Sequence, residues 1–227
     1  MPSSADAPDS RLGFAFALAA LAGAVDAIAV LSLGDVFVSF MSGNTTLLGN
    51  AVAHGQGGAA LQLAAVVVAF LGGVVAGELV AVRVAAHRRS QAVLLLVASG
   101  LALASLGTWL ALPHLAIALC LAGCMGVQNA AVRRAGGMDV ALTYVTGTLV
   151  RLGRTIAAAV LGRGAWEAAS PVAGLWLSFA VGAAAGGLGA SGDPTIAIAA
   201  AAAVAVLLAG YATVRSPFAG VAGRTSP

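Results

Sequence analysis

Asp26 is the one charged residue inside the apolar run from Leu12 to Leu33. An ionisable group within a membrane-length apolar segment costs about 2.5–3.5 kcal/mol on insertion scales, and such groups tend to mark solute pathways or proton relays. The plainer reading is an aspartate held by neighbouring hydroxyls for packing. A second polar cluster follows at Ser42, Gly43, Asn44 and Thr45, and a third at Thr146, Gly147 and Thr148. Each sets hydroxyl or amide side chains around a glycine inside an otherwise apolar run. That is what a helix broken within a bilayer requires, because freed backbone groups must find partners there. These side chains could line a solute path, satisfy the broken backbone, or do both.

Arg151 and Arg154 lie three apart, on one face of the helix expected after the third cluster. They could select anions or, as snorkelling charges, only set the topology. Cys120 and Cys124 sit four apart in an apolar run, where an intrahelical disulfide is geometrically poor, and read as small packing residues. His54, His87 and His114 all fall in expected loops. Phosphate-loop, zincin and nucleophile-elbow patterns do not occur, so the chain points away from an enzyme and calls for no metal or cofactor.

The elements that must position these residues come in two copies. Val36–Ala53 returns as Val140–Ala157, with Ser42-Gly43-Asn44 meeting Thr146-Gly147-Thr148 at a spacing of 104. Gly23-Ala24-Val25-Asp26-Ala27 is answered by Gly126-Val127-Gln128-Asn129-Ala130 at 103, which makes the uncharged Asn129 the counterpart of Asp26, with Gln128 beside it. Phe70, Gly73 and Gly77 are answered by Phe179, Gly182 and Gly186 at 109. Paired interruptions in corresponding halves point to a transporter's binding site. The asymmetry suits one protonatable coupling site at Asp26, with the other half supplying hydrogen bonds through Gln128 and Asn129.

Composition sets the class. The 227 residues are 60% hydrophobic and only 8% charged, with a mean hydropathy of +1.01. A soluble domain carries about a quarter charged residues. The chain therefore reads as an all-α polytopic membrane protein. All 11 basic residues are arginine, and the net +3 is better placed in topology-setting loops than on a nucleic-acid surface.

The expected organisation is a polar tail over 1–10, a first membrane repeat over 11–112, a second over 113–215 and a tail over 216–227, the repeats forming one membrane domain. Apolar runs predict spans at Leu12–Leu33, Ala59–Val82, Gln91–Leu112, Leu115–Val132, 170–190 and Thr195–Val214. If the two broken segments also crossed, Arg83, Arg88, Arg89, Arg133 and Arg134 would face outward, against the positive-inside rule. Six spans with two re-entrant segments put every loop and tail arginine on the cytoplasmic side. The repeats are then inverted, and the apices at Gly43 and Gly147 are expected to approach near the midplane, with half-helices starting at Asn44 and Thr148. The Gly73/Gly77 and Gly182/Gly186 faces should hold the halves together or join a second copy of the chain.

The elements Gly23-x-x-Asp26-Ala27, Phe37-Val38-x-x-Met41-Ser42-Gly43-Asn44-Thr45, Gly126-Val127-Gln128-Asn129-Ala130 and Val145-Thr146-Gly147-Thr148-Leu149 together resemble the YoaK-type family of bacterial integral membrane proteins, a domain of unknown function. The family usually has Thr where Ser42 stands, which keeps the hydroxyl. The resemblance covers nearly the whole chain and implies a bacterial inner-membrane protein of about six spans; it brings no substrate or mechanism.

From the residues, the expected function is transport of a small polar or anionic solute, with Asp26 as proton-coupling site. A passive pore of aquaporin-like plan and a non-transporting membrane partner or assembly protein are the alternatives. The topology is open to a direct test in a background without Cys120 and Cys124. A cysteine at Gln56 should react with a membrane-impermeant maleimide from the outside and one at Gly164 from the inside; any other pattern rules out the six-span inverted repeat.

Overall fold

The structure, a computed structural model, describes residues 8–34, 36–131, 134–135, 138–139 and 145–214. Eight helices account for nearly all of it: α1 (Pro8–Leu33), α2 (Met41–Ala53), α3 (Gly57–Arg83), α4 (Arg89–Trp109), α5 (His114–Gln128), α6 (Val145–Val160), α7 (Ala169–Gly192) and α8 (Pro194–Val214). A two-residue antiparallel pair, β1 (Arg134–Ala135) with β2 (Met138–Asp139), lies between α5 and α6. Among the described residues, five helices are long and apolar enough to cross a membrane, carried by α1, α3, α4, α7 and α8. Helix α5 has 15 residues, a length of about 22 Å, so the expected Leu115–Val132 span is shorter than drawn from hydropathy. At the other terminus α1 begins at Pro8, inside the stretch expected to be a tail.

The bundle is joined by helix pairs that cross between the two halves. Helix α1 packs chiefly on α7, α3 on α5, and α4 on α8. Gly182 lies against the backbone of Ala20 and Gly186 against that of Ala24, so α1 and α7 run parallel. Gly73 lies against Gly123 and Gly77 against Val127, so α3 and α5 are parallel as well. Adding 103 to the α1 positions and subtracting 109 from the α7 positions turns the first set of contacts into the second. Gly23 against Phe179 becomes Gly126 against Phe70, and both contacts are present. The duplication seen in sequence is thus a duplicated interface. Of the two roles expected for the glycine faces, joining the halves is the one they fill here; Gly73, Gly77, Gly182 and Gly186 are all buried inside the chain.

The remaining directions follow from single contacts. Ser105, near the end of α4, donates from its hydroxyl to the carbonyl of Thr195, at the start of α8, at 2.9 Å. Ser90, at the start of α4, donates to the carbonyl of Ala131, just past α5, at 2.7 Å. Phe14, near the start of α1, stacks on Tyr211, near the end of α8. Helix α4 therefore runs antiparallel to α5 and α8, and α1 antiparallel to α8. One end of the bundle gathers the start of α1, α4 and α7 with the end of α3, α5 and α8. Arg83, Arg88, Arg89 and Arg163 flank those helix ends, whereas no arginine occurs in the turns 54–56, 110–113 and 193 at the opposite end.

Helices α2 and α6 lie on the outer members, α2 on α3 and α6 on α7. Both stop in the same way: the N–H of Gly55 and of Gln56 bond back to Val52 and Ala51, and those of Gly162 and Arg163 to Ala159 and Ala158. The turn needs a left-handed residue, and glycine supplies it with φ of 68° and 66°. The core consists of α1, α4 and α5 with one face of α8. Leu61, Val68, Leu71 and Val75 on α3, and Val181 and Leu188 on α7, are exposed, an apolar outer surface suited to acyl chains.

Close backbone packing at the glycines gives a stability test. Gly73→Ala would drive a methyl into the Gly123 backbone, while at the adjacent Gly72 nothing lies within 4 Å. Overpacking of this kind costs about 1–3 kcal/mol, more than the helix-propensity gain of about 1 kcal/mol from Gly to Ala. Gly73→Ala and its counterpart Gly182→Ala should each lower the thermal unfolding midpoint in detergent micelles, and Gly72→Ala should leave it unchanged or raised.

Candidate functional site

The segment between α1 and α2 explains the two polar positions the sequence marks most strongly. After Gly34 the chain turns back along α1 and reaches the level of Asp26, seven residues before the end of that helix, or about 10 Å along its axis. There Asp26 Oδ1 accepts the backbone N–H groups of Val38 and Ser39, each at 2.8 Å. Asp26, Val38 and Ser39 are all buried. An extended stretch cannot pair its own N–H groups, and a carboxylate is the strongest acceptor the chain can offer them. The Ser39 side chain and the Phe40 N–H face the same carboxylate.

Asn44 does the equivalent work one turn into α2. Fully buried, it donates from Nδ2 to the Phe37 carbonyl at 2.6 Å and accepts the Phe37 N–H on Oδ1 at 3.1 Å. A primary amide offers a donor and an acceptor side by side, so it pairs both main-chain groups of the one residue, Phe37. Gly43 leaves room for the rings of Phe37 and Phe40, which meet edge to face with centroids 5.2 Å apart. Helix α2 begins at Met41, three residues before the expected start at Asn44, because Phe40 already accepts the first turn's N–H groups from Gly43 and Asn44.

The other expected path residues are placed differently. Ser42 and Thr45 are exposed on α2, and the Thr45 hydroxyl donates to the Met41 carbonyl at 2.8 Å within its own helix. On α6, Thr146 is exposed, Gly147 and Thr148 are half-buried, and Arg151 and Arg154 are exposed. Helix α6 starts at Val145, not at Thr148. Residues 140–144, the counterpart of the stretch that Asp26 holds, lie outside the described residues. The principal packing of α2 and α6 is on α3 and α7, not on one another, so the expected meeting of Gly43 and Gly147 is not what organises the bundle.

Gln128 is fully buried and bridges the halves, donating from Nε2 to the Leu18 carbonyl of α1 at 2.7 Å. Its Oε1 has no hydrogen-bond partner among the described residues. Asn129 donates to the Met125 carbonyl at 2.9 Å. Since α1 and α5 run in opposite directions, the Gln128–Asn129 pair sits at the level of Leu18, about 12 Å along α1 from Asp26. The two polar positions that correspond in sequence thus lie in two separate layers of the bundle. Cys120 and Cys124 are free and packed, with the Cys120 thiol 3.3 Å from the Gly100 carbonyl.

Sequence reasoning passed over Ser39, whose alternation with Val38 gives no hint that its N–H is what matters. It also left His114 as a loop residue, although that side chain lines a cavity with Ser32 and Thr108. The only sequence signal for either was position: a serine near the end of an apolar run and a histidine straight after a proline. Among the described residues no cluster of His, Cys, Asp and Glu could hold a metal.

A family model described as "Protein of unknown function (DUF1275)" matches residues 14–211, which includes both halves and every polar position above. The UPF0700 transmembrane protein RA0705 of Rhizobium meliloti (strain 1021) is 40% identical over 147 residues, which cover 64% of this chain and 62% of the relative. The chain thus spans about three-fifths of the length of that relative. No solved structure matches. The duplicated helices, the apolar outer surface and a match over nearly all of the described residues agree on one placement: the chain belongs to the DUF1275 family of membrane proteins.

Proposed function

We propose that the chain is a six-crossing transporter of a small polar solute, built as an inverted 3+3 repeat in which α2 and α6 are half-helices re-entering from opposite faces. Helix directions support the plan. Since α1 opposes α8, α5 and α8 both oppose α4, and α3 parallels α5, α1 and α3 point oppositely, so the intervening segment leaves and returns at one face. The same holds for the segment between α5 and α7 at the other face. Among the described residues the arginines that flank helix ends lie at one end, beside the start of α1 and the end of α8, and by the positive-inside rule we take that end as cytoplasmic. Helix α5 serves as the sixth crossing when the turn after it and thinning of the bilayer make up its length.

The observation that carries the transport reading is the Asp26 latch. A carboxylate in the bilayer interior holds a non-helical strand by two charge-assisted bonds, each worth about 1.5–3 kcal/mol. Protonation removes the charge and roughly halves such bonds. Proton binding at Asp26 is thereby linked to release of residues 36–40 and of α2, a movement that opens the space beside α1. The second half carries Asn129 in the equivalent place and has no charge to lose, so coupling resides in one half. Arg151 and Arg154, on the surface of α6 toward the arginine-rich end, are positioned to act on a solute leaving there or to anchor α6 at the headgroups.

A second reading, a membrane assembly protein, draws on the exposure of Ser42, Thr45 and Thr146, polar groups on surfaces that would otherwise meet lipid. Uptake of small labelled solutes into proteoliposomes, with and without a pH gradient, separates the two. Gradient-driven uptake should be abolished in Asp26→Asn, which keeps an acceptor for Val38 and Ser39, as Asn129 keeps its polarity in the other half, and so stays folded. Asp26→Ala should instead lose about 2–5 kcal/mol of stability by orphaning two buried N–H groups. Uptake that is indifferent to both gradient and Asp26→Asn would favour a passive pore, and no uptake by the native chain would favour the assembly role.

A further inference from the structure

Four helix ends meet at the arginine-free end of the bundle without closing on one another. The last turns of α1 and α4 and the first turns of α5 and α8 surround a cavity of about 260 Å³. Ile28, Ile117, Leu121 and Ile198 make its wall mainly aliphatic. Ser32, Thr108 and His114 interrupt that wall, and no carboxylate or arginine lines it. The Thr108 hydroxyl already donates to the Ala104 carbonyl at 2.9 Å. The Ser32 hydroxyl and the His114 ring have no hydrogen bond among the described residues, so both are available to a guest.

Two features set this cavity apart from a packing defect. Its rim includes Ala111, held with φ at 53° in a left-handed turn that ordinarily uses glycine. The turn is closed by the N–H of Ala111 to Thr108 and of Leu112 to Gly107, and strain kept at a site's edge is a mark of function. The repeat also provides an internal comparison. The counterpart of Ile117 at an offset of 103 is Phe14, at the opposite end of the bundle. There Phe14 stacks on Tyr211 with centroids 5.9 Å apart, so an aromatic pair fills space at the arginine-rich end where the other end stays open.

The geometry points to a binding site for a small uncharged solute with one hydrogen-bonding group, its apolar body against Ile28, Ile117 and Leu121 and its polar group between Ser32 and His114. At about 30 Å³ per water the cavity has room for roughly nine waters, hence for a solute of similar heavy-atom count. A charged group gains no counter-charge from a carboxylate or arginine there and loses water against the aliphatic wall, so an uncharged solute is favoured over either ion. Asp26 does not line this cavity, and binding to it does not require that the chain transport anything.

Benzyl alcohol, benzoate and benzylammonium share one shape and differ in charge, so they serve as probes. The full chain in detergent micelles, lacking Cys120 and Cys124 and carrying Ser32→Cys, is labelled with N-ethylmaleimide at neutral pH. Benzyl alcohol should slow labelling saturably, by about fivefold or more, while the two ions leave the rate within about twofold. Thr108→Cys, which keeps the Ser32 hydroxyl, should be protected at an equal or lower half-effective concentration, and adding Ile117→Trp to fill the cavity should remove the protection. Val68→Cys, on the lipid-facing side of α3, controls for partition into the micelle. Equal protection at Val68→Cys, equal protection by either ion, or none at both cavity reporters would overturn the assignment.

Discussion

Backbone N–H groups cannot be left unpaired in a bilayer, and this one constraint fixes what Asp26 and Asn44 do in the structure. Asp26 and Asn44 both spend their hydrogen-bonding capacity on the three residues Phe37, Val38 and Ser39. Without them the chain could not double back beside α1, and α2 would have no fixed starting point. The rest depends on that return, because it lets α1 and α3 run in opposite directions and so lets each half pair with the other.

Pairing across the halves is what glycine makes possible. Gly23, Gly182 and Gly186 bring α1 and α7 to backbone contact, and Gly126, Gly73 and Gly77 do the same for α5 and α3. Lipid tails are as apolar as leucine, so helices gain little by burying large side chains against each other in a membrane. Close approach and the dispersion contacts that come with it supply the adhesion instead. The two interfaces use corresponding residues, and neither half can form its own interface without the other. The principal helix pairs, α1 with α7, α3 with α5 and α4 with α8, each join one half to the other.

Symmetry is broken in three places among the described residues. Asp26, which holds the return of the first half, is answered by the uncharged Asn129. A short strand pair stands between α5 and α6 where the first half has a plain return. Phe14 and Tyr211 stack at one end, whereas Ile117 and its neighbours leave a cavity at the other. A fully symmetric bundle would present the same surface at both ends; these differences make the two ends of this one unlike.

The class and the paired glycine contacts could be read from the chain alone, because hydropathy and glycine spacing are local properties written residue by residue, whereas the expected breaks at Gly43 and Gly147 fall inside the helices α2 and α6. Asp26 and Asn44 stood out by contrast with their apolar neighbours. Their partners did not, since the groups they hold are main-chain N–H and C=O, which every residue but proline presents alike. The span at α5 was overdrawn for a related reason: hydropathy counts apolar residues and does not register where a helix stops. The cavity and the separation of Asp26 from Gln128 into two layers belong to the tertiary structure alone. Both arise where helix ends distant in sequence come together, and what fixes that meeting is the packing register set at Gly73, Gly126 and Gly182, not anything in the segments that line the result.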